Sequence, residues 1–369
     1  MSGRLGPAVA QAMSVELGKR PVDAGALQQS LQKPGESAPK APAPAALPSP
    51  ELPAEKEEDV PPSSSEGQVP SSEGQAPVEK RSRSRAKPGV LLLVPGLIAL
   101  VVGLVFLGGG DDSFESVSAG DSHTCGVTEL GSVKCWGENE HNQASPPSGH
   151  FKSVSAGSAH TCGVTELGNV KCWGMNAIGQ ASPPSGGFKS VSAGVGHTCG
   201  VTERGGVKCW GNDLFGQASP PSGRFESVSL GWQHTCGVTQ AGTVKCWGNG
   251  SEGQASPPNG RFESVSSGWF HTCAVKLLGG VKCWGSNTDG KTSPPNVAFT
   301  SVSAGCNHTC GRTWSGSVKC WGKNGKGQAS PPNVAFQSVS AGCNHTCGVT
   351  ESGSVKCWGA NEKGQASPP

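Results

Sequence analysis

The chain of 369 residues contains no tyrosine, and no aromatic residue of any kind precedes Phe106. All ten tryptophans lie beyond that point. A segment so poor in large apolar side chains cannot bury enough surface to offset the entropy of ordering it, so any core belongs to the later part. A dominant charge is also missing: the net charge of +2 provides no basic field for nucleic acid, and no nucleic-acid partner is expected. Catalytic constellations are absent too. No Ser-His-Asp set and no paired carboxylates stand out, and the acidic residues of the later part, such as Glu129, Glu166, Glu203 and Glu351, fall in turn-like stretches. No catalytic residue and no cofactor is therefore expected, and the chain reads as a non-enzyme.

What fills the first part is low-complexity sequence. Residues 1–87 are rich in Pro, Ala, Ser and Glu and read as a disordered tail that ends in the basic cluster "KRSRSRAK" (Lys80–Lys87). Next, 88–110 carries Val90–Leu107, an uncharged apolar run of 18 residues, at the lower limit for a membrane-spanning helix. No A-x-A cleavage site follows it, and Pro95 is tolerable in such a helix. Basic residues before the run and Asp111–Asp112 after it predict a signal-anchor with the N-terminus in the cytoplasm and residues 111–369 outside. The membrane is thus the first expected partner. Glycines 89, 96, 103 and 110 recur every seven residues around this span, as glycine commonly does in membrane helices.

The remainder is repetition. Units of 37 residues begin at Phe114, Phe151, Phe188, Phe225, Phe262, Phe299 and Phe336, and a period of that size marks a repeat architecture. Each reads F-x-S-V-S-x-G-x-x-H-T-C, then V-K-C-W-G, then usually N-x-x-G-Q-A-S-P-P. No helical period appears; short β-prone runs alternate with Gly and Pro. Three strands are predicted per unit, in the first at Ser116–Ala119, His123–Thr128 and Val133–Trp136. The last two form a hairpin around "ELG" (129–131), in which facing residues have numbers summing to 260. Cys125 then faces Cys135, at a separation a disulfide can close. The same reading pairs Cys162 with Cys172, Cys199 with Cys209, Cys236 with Cys246, Cys273 with Cys283, Cys310 with Cys320 and Cys347 with Cys357. A structural metal would want a tighter cysteine spacing and four ligands, so no metal site is expected in the hairpin. Alternation puts Cys125, Val127, Val133 and Cys135 on one face, Lys134 and Trp136 on the other. Each small sheet therefore has two faces to bury, which neighbours before and after it can cover, as blades do in a propeller.

G-x-x-H-T-C, V-K-C-W-G and N-x-x-G-Q together resemble the regulator of chromosome condensation repeat over all seven units. The resemblance implies an all-β, seven-bladed β-propeller of three-stranded blades. The short period is similar to the bacterial branch that includes the type II β-lactamase inhibitor protein. The family namesake is a nuclear nucleotide-exchange factor, and other members bind proteins through one face. A membrane span and paired cysteines in every unit depart from the nuclear type, so a protein or cell-surface ligand is the expected partner. A regulatory exchange-like factor and an unrecognised enzyme are the two alternatives.

Residues that break the repeat are the binding candidates. The loop after strand one and the start of the loop after strand three should share a face. There the sequence places Trp232-Gln233, Trp269-Phe270, Leu214-Phe215 and Ile178, and clustered exposed aromatics mark interaction surfaces. Trp314 belongs to a hairpin turn on the opposite face. Three states are open to Cys306 and Cys343, in equivalent positions of blades six and seven: free thiols, an inter-blade disulfide, or a soft-metal site with His308 and His345. The seven histidines from His123 to His345 recur invariantly, which suits a structural role. "GSNTDGKT" (Gly285–Thr292) matches a phosphate-loop pattern, but Pro294–Pro295 forbid the helix that motif requires.

Overall fold

The structure, a computed structural model, describes residues 113–369. The expected tail and the expected span over 88–110 lie outside the described residues; among those described, no helix is long and apolar enough to cross a membrane.

Each unit forms a three-stranded antiparallel sheet. In blade one these are β1 (Phe114–Ala119), β2 (His123–Thr128) and β3 (Val133–Gly137), hydrogen-bonded in that order, and the pattern repeats seven times. The first strand begins two residues earlier than its alternation predicts. A register shift between Phe114 and Ser116 explains the difference: the extra residue breaks the period of two, yet Phe114 still pairs with Thr128. The Phe114 ring lies over Gly126, where a Cβ would fall 2.6 Å from Cδ1 of the ring. Blade five has Ala274 at the equivalent position, and there Phe262 stands 6.4 Å from Trp284, against 6.1 Å for Phe114–Trp136. The added methyl coincides with a wider ring pair.

The hairpin register is the one the cysteine spacing requires: Cys125 faces Cys135, Val127 faces Val133 and Thr124 faces Trp136. All seven expected hairpin disulfides are present. The cysteine face of one blade packs on the Phe–Trp face of the next, Cys125 against Phe151 and Trp173. Phe114 and Trp136 of blade one pack in turn on Val349 of blade seven, closing the ring.

Polar bonds follow the same circuit. Thr161 Oγ1 donates to the Gln143 carbonyl (2.9 Å), and Trp173 Nε1 donates to the same oxygen (2.9 Å). That hydroxyl has one proton, already given, so it accepts from His123 Nε2–H (2.7 Å). The tautomer is thereby fixed, with Nδ1 unprotonated. Every blade repeats the arrangement; at closure Thr124 and Trp136 donate to Gln365, and His345 donates to Thr124. Inner strands are tied by serine hydroxyls, as where the Ala156 amide donates to Ser118 Oγ (2.9 Å). The seven histidines are thus structural, and burial pushes them below the usual value, to about 3 for His123 and about 4 for His160.

Candidate binding face and channel mouth

Two faces of the ring differ in what they carry. On the loop face, the β1–β2 loops sit beside the segments leaving β3: the Glu138 amide donates to the Ser122 carbonyl (2.9 Å). On the turn face, the β2–β3 turns sit beside the segments leading into the next blade: the Phe151 amide donates to the Gly131 carbonyl (2.8 Å).

On the loop face the β1–β2 loops ring the mouth of a central cavity lined by Gly120, Asp121, Ser158, Val195, Trp269 and Cys306, among others. The Asp121 amide donates to Gly157, Ser158 to Gly194, Cys306 to Gly342 and Cys343 to Gly120, tying neighbouring loops together. Blades four and five break the pattern of small residues. Trp232 lies 5.4 Å from Trp269 and meets Phe270 edge-on at 5.0 Å, so three of the predicted aromatics form one half-buried cluster. The buried indole N–H of Trp269 meets no acceptor among the described residues.

The other predicted site residues divide. Leu214 and Phe215 are 45% and 42% exposed, held out by backbone bonds from their own amides to Asn212 Oδ1 and Gln217 Oε1. Gln233 is buried, and its Oε1 accepts from Asn249 Nδ2 (2.8 Å); it props the loop and presents nothing to solvent. Ile178 is half-buried, its Cδ1 only 3.2 Å from where a Cβ on Gly196 would stand, so it covers a glycine rather than projecting from the face.

The phosphate-loop look-alike resolves into something else. No helix follows Gly285–Thr292. Lys291 is 2% exposed at the position where other blades bury glutamine. Its Nζ donates to Asn307 Oδ1 (3.2 Å) and sits 6.0 Å above the Phe270 ring. Burial holds its ammonium below the usual lysine pKa, with Asp289 and Glu252 pulling the other way. A buried cation therefore underlies the aromatic cluster. The repeat made the substitution visible, but its contact with Phe270 and blade six depends on how blades are angled, which spacing along the chain does not encode.

Cys306 and Cys343 form a disulfide (Cα–Cα 4.6 Å) between the loops of blades six and seven, and Asp121 approaches within 3.7 Å of the Cys306 sulfur. Both sulfurs are spent in this bridge. His308 and His345 point instead to Thr346 and Thr124, so the soft-metal and free-thiol alternatives are corrected. With this pair all sixteen cysteines are joined.

A search among curated proteins finds no relative of this chain. Among solved structures, the ectodomain of the Physcomitrella patens receptor kinase CR4 is similar, with 28% identity, a TM-score of 0.59, and coverage of 67% of this chain and 74% of that one. The CRINKLY WD40 ectodomain of the Arabidopsis thaliana receptor kinase ACR4 matches with 27% identity and a TM-score of 0.58, over 67% of this chain and 98% of that one. Prp20p of Saccharomyces cerevisiae, at 16% identity and a TM-score of 0.55 over 69% of this chain and 83% of its own, shares the fold. The sequence profile of the regulator of chromosome condensation (RCC1) repeat matches at 114–143, 151–180, 188–217, 225–254, 262–291, 299–328 and 336–365. The short-repeat bacterial branch, by contrast, is suggested by repeat length alone. Seven matched units, one for each blade, make this chain a member of the RCC1 repeat family.

Proposed function

We propose that this protein is a membrane-anchored, extracytoplasmic propeller that binds a protein or surface ligand through its loop face without catalysing a reaction. The observation that carries the reading is the break in sevenfold symmetry. At one rim, Leu214, Phe215, Trp232, Trp269 and Phe270 stand where most other blades have small or polar residues, and a buried Lys291 lies beneath Phe270. Trp and other aromatics are frequent anchors of recognition. Support for the location comes from eight disulfides, which persist in oxidising compartments, and from the basic cluster ahead of the apolar run. Two proteins of similar structure are receptor-kinase ectodomains, which fits a display role. The namesake's nuclear exchange activity fits poorly with cysteines paired throughout.

The test is surface crosslinking of the full-length protein in its own cells with a membrane-impermeant reagent. A partner adduct is expected, weakened severalfold by Trp232→Ala with Trp269→Ala. Unaltered capture would remove the site, and adducts that form only after permeabilisation would remove the topology.

A further inference from the structure

The most exposed large apolar side chains among the described residues are on the turn face, opposite the candidate binding rim. Leu278 is 92% exposed, Leu167 87%, Trp314 72% and Leu130 63%, with Leu277 beside them. All come from the β2–β3 turns of blades one, two, five and six. The fold does not call for them. The tip position held by Leu130, Leu167 and Leu278 is Arg204 in blade three, Ala241 in blade four and Ser352 in blade seven. Leu278 even adopts φ 74°, a left-handed conformation that leucine avoids, and at that exposure it gains no packing in return. Single exposed leucines need no explanation, but a recurrent Leu/Trp rim on one face does.

Where the chain joins the propeller indicates what this face meets. Ser113 lies on it, between the turns of blades seven and one: its carbonyl accepts from the Glu129 amide (2.9 Å), and the neighbouring Phe114 amide donates to Gly353 (2.8 Å). Only "GGGDD" (108–112) separates it from Leu107, the end of the apolar run. A tether of that length reaches about 20 Å at full extension. We infer that the turn face rests on the lipid bilayer, with Leu130, Leu167, Leu277, Leu278 and Trp314 seated at the boundary between headgroups and acyl chains, where Trp and Leu are favoured. Arg204, Arg224, Arg261 and Lys276 share this face with Glu129, Glu166, Glu203 and Glu351, and Lys171, Lys208 and Lys245 reach the Ser148, Ser185 and Ser222 carbonyls beside it; the contact inferred is the apolar one, to which this basic surplus would add on anionic lipid. This orientation rests on the proposed membrane anchor, and it turns the loop face outward.

The full chain, reconstituted in phosphatidylcholine vesicles, provides the test. With every native cysteine paired, Leu278→Cys, Leu167→Cys or, on the loop face, Gly325→Cys takes a single spin label. A nickel chelate carried on a lipid headgroup should broaden the labels at 278 and 167 severalfold more than the label at 325. Equal broadening at all three positions in a chain that floats with the vesicles overturns the orientation alone. A chain that does not float overturns the anchor, and the orientation with it.

Discussion

Threonine 161 makes one hydroxyl serve two blades. It donates to the Gln143 carbonyl and accepts from His123, while Trp173 gives that carbonyl a second bond. In Thr161→Val the carbonyl keeps the indole, but the buried imidazole N–H loses its acceptor. An unmatched buried donor costs about 1–3 kcal/mol, which should appear as a lower denaturant midpoint with an unchanged slope. Lys291 offers the opposite case. Its ammonium is buried and its pKa lowered chiefly by desolvation, so below its folded pKa the native state bears that burden in full. The burden falls as pH rises toward 10.5 and both states become neutral. Lys291→Gln restores the residue of the other blades and should raise the thermal midpoint at pH 7, with the gain shrinking in alkali; a lower midpoint would show that the Phe270 and Asn307 contacts outweigh burial. From sequence, the invariance of His123 and its six counterparts suggested a structural role, and each makes an inter-blade bond to a threonine. Which atom each histidine meets was not legible, because its partner lies 38 residues away across a blade boundary.

Within a blade, most of the architecture was legible. Pairing Cys125 with Cys135 sets the register of the whole hairpin, and side-chain alternation then decides which residues face which neighbour. What failed was the start of strand one, because a bulge at Phe114–Ser116 has no signature in a period of two. Gln233 was expected at the surface and is buried for a related reason: a loop position reads as exposed until the adjoining loop is known to cover it. Closing a ten-residue separation removes freedom from the unfolded hairpin, and the loop-entropy estimate is about 3 kcal/mol. Replacing Cys199 and Cys209 together by alanine should lower the stability of blade three by about that amount, read by unfolding under non-reducing conditions. A loss near zero would mean that the unfolded hairpin is already compact.

The whole molecule titrates as a ring. Six of the seven histidines are held at about 3 or 4, and His271 well below 6.5, while an unfolded chain protonates them near 6.5. Between those values the unfolded state binds protons that the native state refuses, so stability is complete above about pH 6.5 and falls as the pH drops toward 4. Each histidine contributes a slope of up to about 1.4 kcal/mol per pH unit. Thermal midpoints should therefore fall steeply between pH 6 and pH 4, and His197→Gln should flatten the fall by one proton's worth. The closing bonds make the same point about connectivity. Gln365 serves Thr124 and Trp136 just as Gln143 serves Thr161 and Trp173, so every blade completes its successor and none is first or last. Pro369 corresponds to Pro147 and Ser113 to His150, six periods of 37 apart for the first pair and one for the second. Ser148-Gly149 joins Pro147 to His150, so the same dipeptide would link Pro369 to Ser113. A circular permutant joined there by Ser-Gly and opened at the exposed turn of blade two would keep every donor and acceptor of the circuit, and with it the freedom to choose from which blade a tether hangs.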